Sequence, residues 1–403
     1  MLVDLTNLNI WEALPEVHRT GSQRLGAIDS LELRQIRLPL ITPFESNFGV
    51  EVAKEALLVT LKKEGVAAYG ECVAAREPRY SEETIASATY IIKKYLAPLL
   101  FREDLEHPSN FIELSHWVRG NNMAVAAVEM ALWDLQAKFQ AKSLTELIGG
   151  GKKEVAVGVS IGFQPSTDRL VDAVSSYVNE GYRRMKIKIR PGYDLEPVRA
   201  LRRKFPGVPL QVDANSTYQL SDLEVLKELD AFQLLMIEQP LAHDDIVDHS
   251  KLQKQLSTPI CLDESIAGPD AARKAIEIEA CRVINVKPGR VRGLLWSKAI
   301  HDFCLASGIA IWCGGMLETG IGRAFNVGLA TLPGFTLPGD ISASKRYFRR
   351  DIITKDFELT KDGTLMVPDG PGIGVELDQR FLDTCTTARE ILTPHQIRSD
   401  FGS

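Results

Sequence analysis

Met185-Lys186-Ile187-Lys188-Ile189, Gln211-Val212-Asp213-Ala214-Asn215, Met236-Ile237-Glu238-Gln239-Pro240, Cys261-Leu262-Asp263-Glu264-Ser265 and Val283-Ile284-Asn285-Val286-Lys287-Pro288 follow one another along the chain. Each is a short apolar run that closes on a charged residue. Lys188, Asp213, Glu238, Asp263 and Lys287 are 25, 25, 25 and 24 residues apart by subtraction of those numbers. One strand, one helix and two short loops consume about that many residues. The ladder predicts successive βα units, each with one charged side chain at the C-terminal end of its strand. That end is the face on which (β/α) barrels keep their active sites. Strands that leave a core often end in a polar residue, which accounts for one or two such charges but not for five at a constant interval. Three carboxylates between two lysines is what a divalent cation flanked by two bases requires.

The chain has 403 residues, and its 45% hydrophobic and 25% charged content is that of an ordinary globular protein rather than a disordered one. A barrel uses roughly 250 residues, so a second domain of moderate size is expected. The net charge of −6 gives no reason to expect nucleic acid or an anionic membrane as a partner. The six cysteines form no CxxC pair; Cys261, Cys281 and Cys313 lie in or beside apolar runs and read as buried thiols, a reduced, cytoplasmic pattern. No stretch of 18 apolar residues occurs, so no membrane span is expected. Residues 1–27 lack the basic start and apolar core of a secretory signal. They read as an N-terminal extension in which Leu5, Leu8, Ile10, Trp11 and Leu14 are available to dock on a surface.

Residues 28–150 predict an α+β domain. Leu31–Leu40 alternates, Ala56–Leu61 is a buried run, and Ala67–Cys72 follows a turn at Gly65, which together make an antiparallel meander. The segment from Ile41 to Gly49 reads equally as a lid or a long hairpin connection. Helices follow from Ser81 to Pro98 and over Ala124–Phe139. Gly149-Gly150-Gly151 marks the boundary to a barrel over 151–341. Its first strand is expected at Val155–Ile161 and its eighth around Phe335–Asp340. Helices are expected at Ser166–Gly181, Leu195–Phe205, Ser221–Leu229, Asp244–Leu256, Pro269–Ile278, Leu294–Ala306 and near Ile321–Thr331. Residues 342–403 are loop-rich and expected to fold back on the first domain.

Asp213, Glu238 and Asp263 offer hard oxygen ligands with no Cys or His, which suits Mg²⁺, or Mn²⁺, rather than zinc. Asn215 and Glu264 neighbour the ladder and read as supporting residues. Lys186 and Lys188, two apart on a strand, share a face. If both line the barrel, desolvation and like charge should lower their pKa values toward those of a general base. Lys287 then brackets the metal from the other side. An α-proton leaves a carboxylate only when the doubly charged enediolate is stabilised, and a cation plus an ammonium group does that. Arg290 either tunes Lys287 or caps its loop. His243, His249 and His301 show no ligand spacing and read as surface residues. Gly320-Ile321-Gly322 fails the dinucleotide pattern at its third glycine.

These motifs resemble the enolase superfamily, whose members pair an α+β capping domain with a (β/α)7β barrel, a TIM-like member of the α/β class. The Lys-x-Lys pair with a lysine on the sixth strand resembles the muconate-lactonising subgroup. Glu238-Gln239-Pro240-Leu241-Ala242, Asn285-Val286-Lys287-Pro288-Gly289-Arg290 and Gly314-Gly315-Met316-Leu317-Glu318-Thr319-Gly320 resemble the family of o-succinylbenzoate synthases and N-succinylamino acid racemases. The resemblance spans roughly Ile28 to Leu392. It implies Mg²⁺ on Asp213, Glu238 and Asp263, with Lys188 as acid/base, Lys287 as cation or second base, and Lys186 assisting. It also implies substrate contacts at Ser160, Gly315 and Met316, and in the loop with Phe44, Ser46, Asn47 and Phe48. The implied partner is a small carboxylate with a succinyl group, and a homo-oligomer is expected. Arg292 stands where relatives often have glycine, and is expected to sit at a helix start without consequence. A dipeptide epimerase shares both lysines and commonly places acids on the eighth strand, where Asp340 lies. A sugar-acid dehydratase would want a histidine base, which no ladder position supplies. A catalytically silent binding protein leaves the intact ladder unexplained.

Overall fold

The computed structural model describes residues 24–396, so the docking expected of Leu5, Leu8, Ile10, Trp11 and Leu14 falls outside the described residues. Alternating residues of the first domain build an antiparallel sheet from β1 (Ser30–Ser46), β2 (Gly49–Lys63) and β3 (Val66–Cys72). β1 and β2 run on past the core as a hairpin. Ser46 pairs with Gly49 across Asn47 and Phe48, and the ladder slips between Pro39 and Phe44. The Ile41–Gly49 segment is therefore a strand hairpin.

The helix expected from Ser81 starts later, at Ile85. Thr84 caps it by accepting from the Ser87 N–H, and it widens into a π turn at Ile92–Leu96 before resuming at Ala97–Arg102. The long helix Asn122–Phe139 packs its small residues on β3, with Ala124, Ala127 and Ala131 fully buried.

The expected first barrel strand divides in two. β4 (Glu154–Ala156) leaves the barrel, and β5 (Val159–Ile161) is its first member. The ladder follows as β6 (Met185–Lys188), β7 (Leu210–Asp213), β8 (Ile237–Glu238), β9 (Ile260–Leu262), β10 (Val283–Val286) and β11 (Ala310–Cys313). Among the described residues these seven form one parallel sheet in chain order. The segment expected as an eighth strand is not a regular strand but fills that place. Leu337 and Asp340 donate backbone N–H groups to Ile311 and Cys313, and Gly339 exchanges backbone bonds with Ala156 and Gly158, which closes the ring.

The outer helices lie between the strands. Ser166 caps Thr167–Glu180 and Asp194 caps Leu195–Lys204. The expected Ser221–Leu229 helix is a short α segment, Leu223–Glu228, between two 3-10 turns, and the one expected from Asp244 is only Val247–Gln253. β12 (Thr364–Met366) pairs with β4, and β13 (Thr386–Leu392) joins the outer edge of the first sheet beside β1. No helix among the described residues is long and apolar enough to cross a membrane.

Two sequence expectations are corrected. His249 and His301 are buried, not surface residues. His249 Nε2 accepts from the Leu241 N–H at 3.1 Å, and His301 Nε2 accepts from the Gly334 N–H at 2.9 Å. Each satisfies a loop amide, which removes the cost of burying it.

Arg292 is also more than a helix start. Its φ of +73° lies in the left-handed region, which glycine enters freely and a side chain does not. In this chain the buried guanidinium crosses to the first domain and donates to the carbonyls of Ser115 (2.7 Å), Val118 (3.1 Å) and Gly120 (3.3 Å). Backbone strain is thus offset by a clasp between domains. R292A keeps the strain and loses the clasp, whereas R292G loses both. Urea unfolding should show both variants destabilised, R292A by about 1 kcal/mol more than R292G.

Candidate functional site

The strand ends place the ladder residues as neighbours. Lys188 is in register with Asp213, and Asp213 with Glu238, while Asp263 follows the last residue of β9 and Lys287 the last of β10. All five side chains are buried, the three acids at 0–1% exposure. Carboxylates this deep require positive partners or protons, and the structure supplies cations. Lys188 Nζ bonds Asp213 at 2.6 Å, Lys287 Nζ bonds Asp263 at 2.7 Å, and Lys186 Nζ bonds Glu238 at 3.0 Å. Lys186 also stands 3.3 Å from Asp213 and 2.5 Å from Asp340. Both lysines of the Lys-x-Lys pair therefore face the acids.

The fall in pKa expected of Lys186 does not appear, and Lys287 behaves in the same way. Burial works against each ammonium. At Lys186, Asp340, Glu238 and Asp213 outweigh burial; at Lys287, Tyr80, Glu264 and Glu238 do, so both are held well above the ordinary lysine value. The two neighbouring acids diverge. Burial opposes the charge on Asp213, but Lys188 and Lys186 outweigh it and pull the group far down. Burial and the adjacent Asp213 push Glu238 up.

Asn215 and Glu264 join the site because their strands have ended and the two-residue alternation no longer applies. Asn215 Oδ1 accepts from Lys188 at 2.9 Å, and its amide donates to Glu264 Oε1 at 3.2 Å. Burial and the nearby Asp213 raise Glu264 to about 7, and its Oε2 is buried without a hydrogen-bond partner. Arg290 grips Asp263 and also donates to the backbone carbonyls of Asn285 (2.6 Å) and Ile266 (3.0 Å). It both holds an acid and ties down its loop.

Asp213 and the three lysines Lys186, Lys188 and Lys287 open on a cavity of about 440 Å³ between the two domains, which Asn215 also lines. Ser160, Gly315, Met316 and Asp340 line its barrel side, and Phe44, Ser46 and Phe48 the hairpin side. Asn47 acts differently: its amide donates to the carbonyls of Ile189 (2.9 Å) and Ala214 (3.0 Å), pinning the hairpin tip to the barrel rim. Asp340 is committed to Arg184 at 2.6 Å and to Lys186.

Sequence reasoning missed several residues here. Tyr80, in the first domain, accepts from Lys287 Nζ at 3.1 Å and donates to Asp263 Oδ1 at 3.2 Å; a loop residue 207 positions away carries no periodic signal. Gln211 and Asn285 were findable, because each lies two residues before a ladder residue and so shares its face. They donate to Glu238 at 2.6 and 2.9 Å.

Among the described residues no three acid, histidine or cysteine side chains converge as a ready-made metal cage, since the carboxylates are turned to lysines and Arg290. The donor set nevertheless fits a hard divalent ion: three carboxylates on adjacent strands, all oxygen, with the unpartnered Glu264 oxygen beside them.

Residues 31–149 match the mandelate racemase / muconate lactonizing enzyme N-terminal domain, and residues 169–381 match the enolase C-terminal domain-like family. The chain is 49% identical to o-succinylbenzoate synthase of Geobacillus kaustophilus over 89% of its own length and 96% of that protein. It is 48% identical to N-succinylamino acid racemase of Thermus thermophilus over 89% of its length and 97% of that protein. A crystal structure of an enolase superfamily member from Listeria innocua superposes with a TM-score of 0.89 at 44% identity, covering 92% of this chain and 100% of that one. With its three-acid ladder, its two flanking lysines and these matches along both domains, the chain belongs to the enolase superfamily.

Proposed function

We propose that this protein is an o-succinylbenzoate synthase that dehydrates 2-succinyl-6-hydroxy-2,4-cyclohexadiene-1-carboxylate in menaquinone synthesis, and that the same site racemises N-succinylamino acids. The observation that carries the reading is the pair Lys188 and Lys287, on strands that flank three acid-bearing strands and facing one cavity. Asp213, Glu238 and Asp263 would hold Mg²⁺, with Mn²⁺ as a substitute. When bound, the ion neutralises charge on the substrate carboxylate as the enediolate forms.

The chain's own residues do the rest. Asp213 and Asn215 hold the Lys188 amine at the strand end, where it removes the α-proton and returns it to the departing hydroxyl in a syn elimination. Lys287, kept cationic by its acidic and phenolic surroundings, faces the developing enediolate. In racemisation the two amines work from opposite faces: one takes the α-proton and the other delivers one. Ser160, Met316, Phe44 and Phe48 enclose the arm of the substrate and exclude water.

A dipeptide epimerase reading asks Asp340 to receive a substrate ammonium. That carboxylate already serves Arg184 and Lys186, and Arg184 together with Lys186 holds it low, at about 2, against burial. The succinyl reading needs no such release.

Dehydration followed by loss of the cyclohexadiene ultraviolet absorbance should be fast with Mg²⁺ and abolished by chelator. N-succinylphenylalanine in D₂O should exchange its α-proton in the same site. Exchange without dehydration would make the protein a dedicated racemase, and neither signal with Mg²⁺ bound would defeat the succinyl reading.

K188A should lower the dehydration rate by about 10³-fold. K188A and K287A should each retain α-proton exchange from only one enantiomer of N-succinylphenylalanine, and not the same one. A separate prediction concerns Lys186. K186M leaves Asp340, Glu238 and Asp213 short of a buried cation and should cost about 3–5 kcal/mol in urea unfolding.

A further inference from the structure

Seven cationic side chains line the cavity, and six of them stand within 4.0 Å of a carboxylate. Lys186, Lys188 and Lys287 are held by the ladder acids. Arg37 and Arg76 stand 3.8 and 4.0 Å from Glu55, and Arg79 lies 2.6 Å from Glu77; all three are solvent-exposed at the rim. The seventh, Lys54, differs on both counts. It sits on β2 in register with Leu38, is 4% exposed, and among the described residues has no carboxylate within 4.0 Å. Its Nζ donates at 2.9 Å to the carbonyl of Met316, a residue of the cavity wall.

Burying an ammonium group without a counter-charge is expensive. An ammonium also has three donors, and one carbonyl uses one of them. Glu71 in the same region feels the charge of Lys54 across a gap, but it does not contact the ammonium, because its oxygens are engaged elsewhere. It accepts from the Thr319 N–H and hydroxyl and from the Gly322 N–H. Lys54 therefore presents a buried positive charge, with donors to spare, to the cavity that the ladder residues also line.

We infer that Lys54 receives the distal carboxylate of the succinyl arm, and so sets the preference of this site for dicarboxylate over monocarboxylate substrates. The inference rests on the succinyl reading above. A substrate with one carboxylate at the ladder and a second at the end of a flexible arm matches a cavity lined by Lys54 as well as by the ladder lysines. A charge-assisted hydrogen bond in a desolvated pocket discriminates strongly against a ligand that lacks the charge. Lys54 is then a positioning residue: it fixes the arm, and the arm fixes the α-carbon between Lys188 and Lys287.

The test compares two ligands by titration calorimetry on the Mg²⁺-loaded protein. The first is o-succinylbenzoate. The second is 2-butanoylbenzoate, which carries a methyl group in place of the distal carboxylate. The unaltered protein should bind the first more tightly by about 30-fold, the range expected of one hydrogen bond between charged groups. K54M should reduce that ratio to near 1, and K54R should restore most of it. A merely structural role would weaken both ligands alike and leave the ratio unchanged. K54Q, also neutral but able to donate to the Met316 carbonyl, gives the same reading if K54M does not fold.

A ratio that survives in K54M or K54Q overturns the inference while leaving the synthase reading intact. Equal binding of both ligands by the unaltered protein overturns the inference as well. Failure of the unaltered protein both to bind o-succinylbenzoate and to act on either succinyl substrate overturns the inference and the succinyl reading together.

Discussion

Buried negative charge is the constraint on which the rest of this structure depends. Asp213, Glu238 and Asp263 end three adjacent strands at 0–1% exposure. A carboxylate taken out of water costs several kcal/mol unless opposite charge and hydrogen bonds replace the lost hydration. Lys186, Lys188, Lys287 and Arg290 supply the charge, and none of them is free to wander, because each is bonded to one of the three acids. The same economy explains why the site is suited to deprotonation at carbon. An array that balances several buried charges of each sign tolerates a doubly charged intermediate that bulk water would have to reorganise around.

Below that face a second layer fixes its central member. Glu238 receives Lys186, Gln211 and Asn285, each from a different strand and each two residues before a ladder position. Barrel interiors are filled by such layers, usually apolar ones. Here the layer is polar, and it is satisfied because three donors converge on one carboxylate. Trp312 seals it from beneath, fully buried, with Lys186 Nζ 4.9 Å from its ring centroid. The pairing of a polar layer with an aromatic floor keeps water from screening the charges above.

The ladder was legible because its signal is covalent: a fixed interval between like positions survives any uncertainty in loop conformation. Strand period two also made Lys186 and Lys188 readable as neighbours on one face. At Asn215 and Glu264 the rule gives no guide, since it presumes that the strand continues, and the chain turns at both. It was applied only to the lysine pair, although Gln211 and Asn285 obey it equally. Other features had no local signature. Tyr80 reaches Lys287 from 207 residues away, and the burial of His249 and His301 follows from loop amides that only the folded chain brings to them. Arg292 was visible as a departure from its relatives. Its meaning lay in a positive φ and three carbonyls of the other domain, neither of which sequence displays.

The division of labour between the domains follows from these facts. The barrel carries the acids, the lysines and their supporting layer, all on strand ends whose positions are set by backbone register. The first domain contributes what bounds the substrate: the hairpin pinned by Asn47, the phenol of Tyr80 and the ammonium of Lys54. The groups proposed to react thus sit on rigid elements, and the hairpin and Lys54 sit on a separate body, where only Tyr80 reaches into the charge network of the ladder. That separation requires the two bodies to hold a fixed relation. Arg292 clasping the loop after Leu114, and Glu71 bound to Thr319 and Gly322 at the start of a barrel helix, are contacts of the right kind. Both are buried and directional, and both cross between domains. A slip of one body against the other would break hydrogen bonds before it misplaced the substrate, so precision at the α-carbon is inherited from contacts that never touch it.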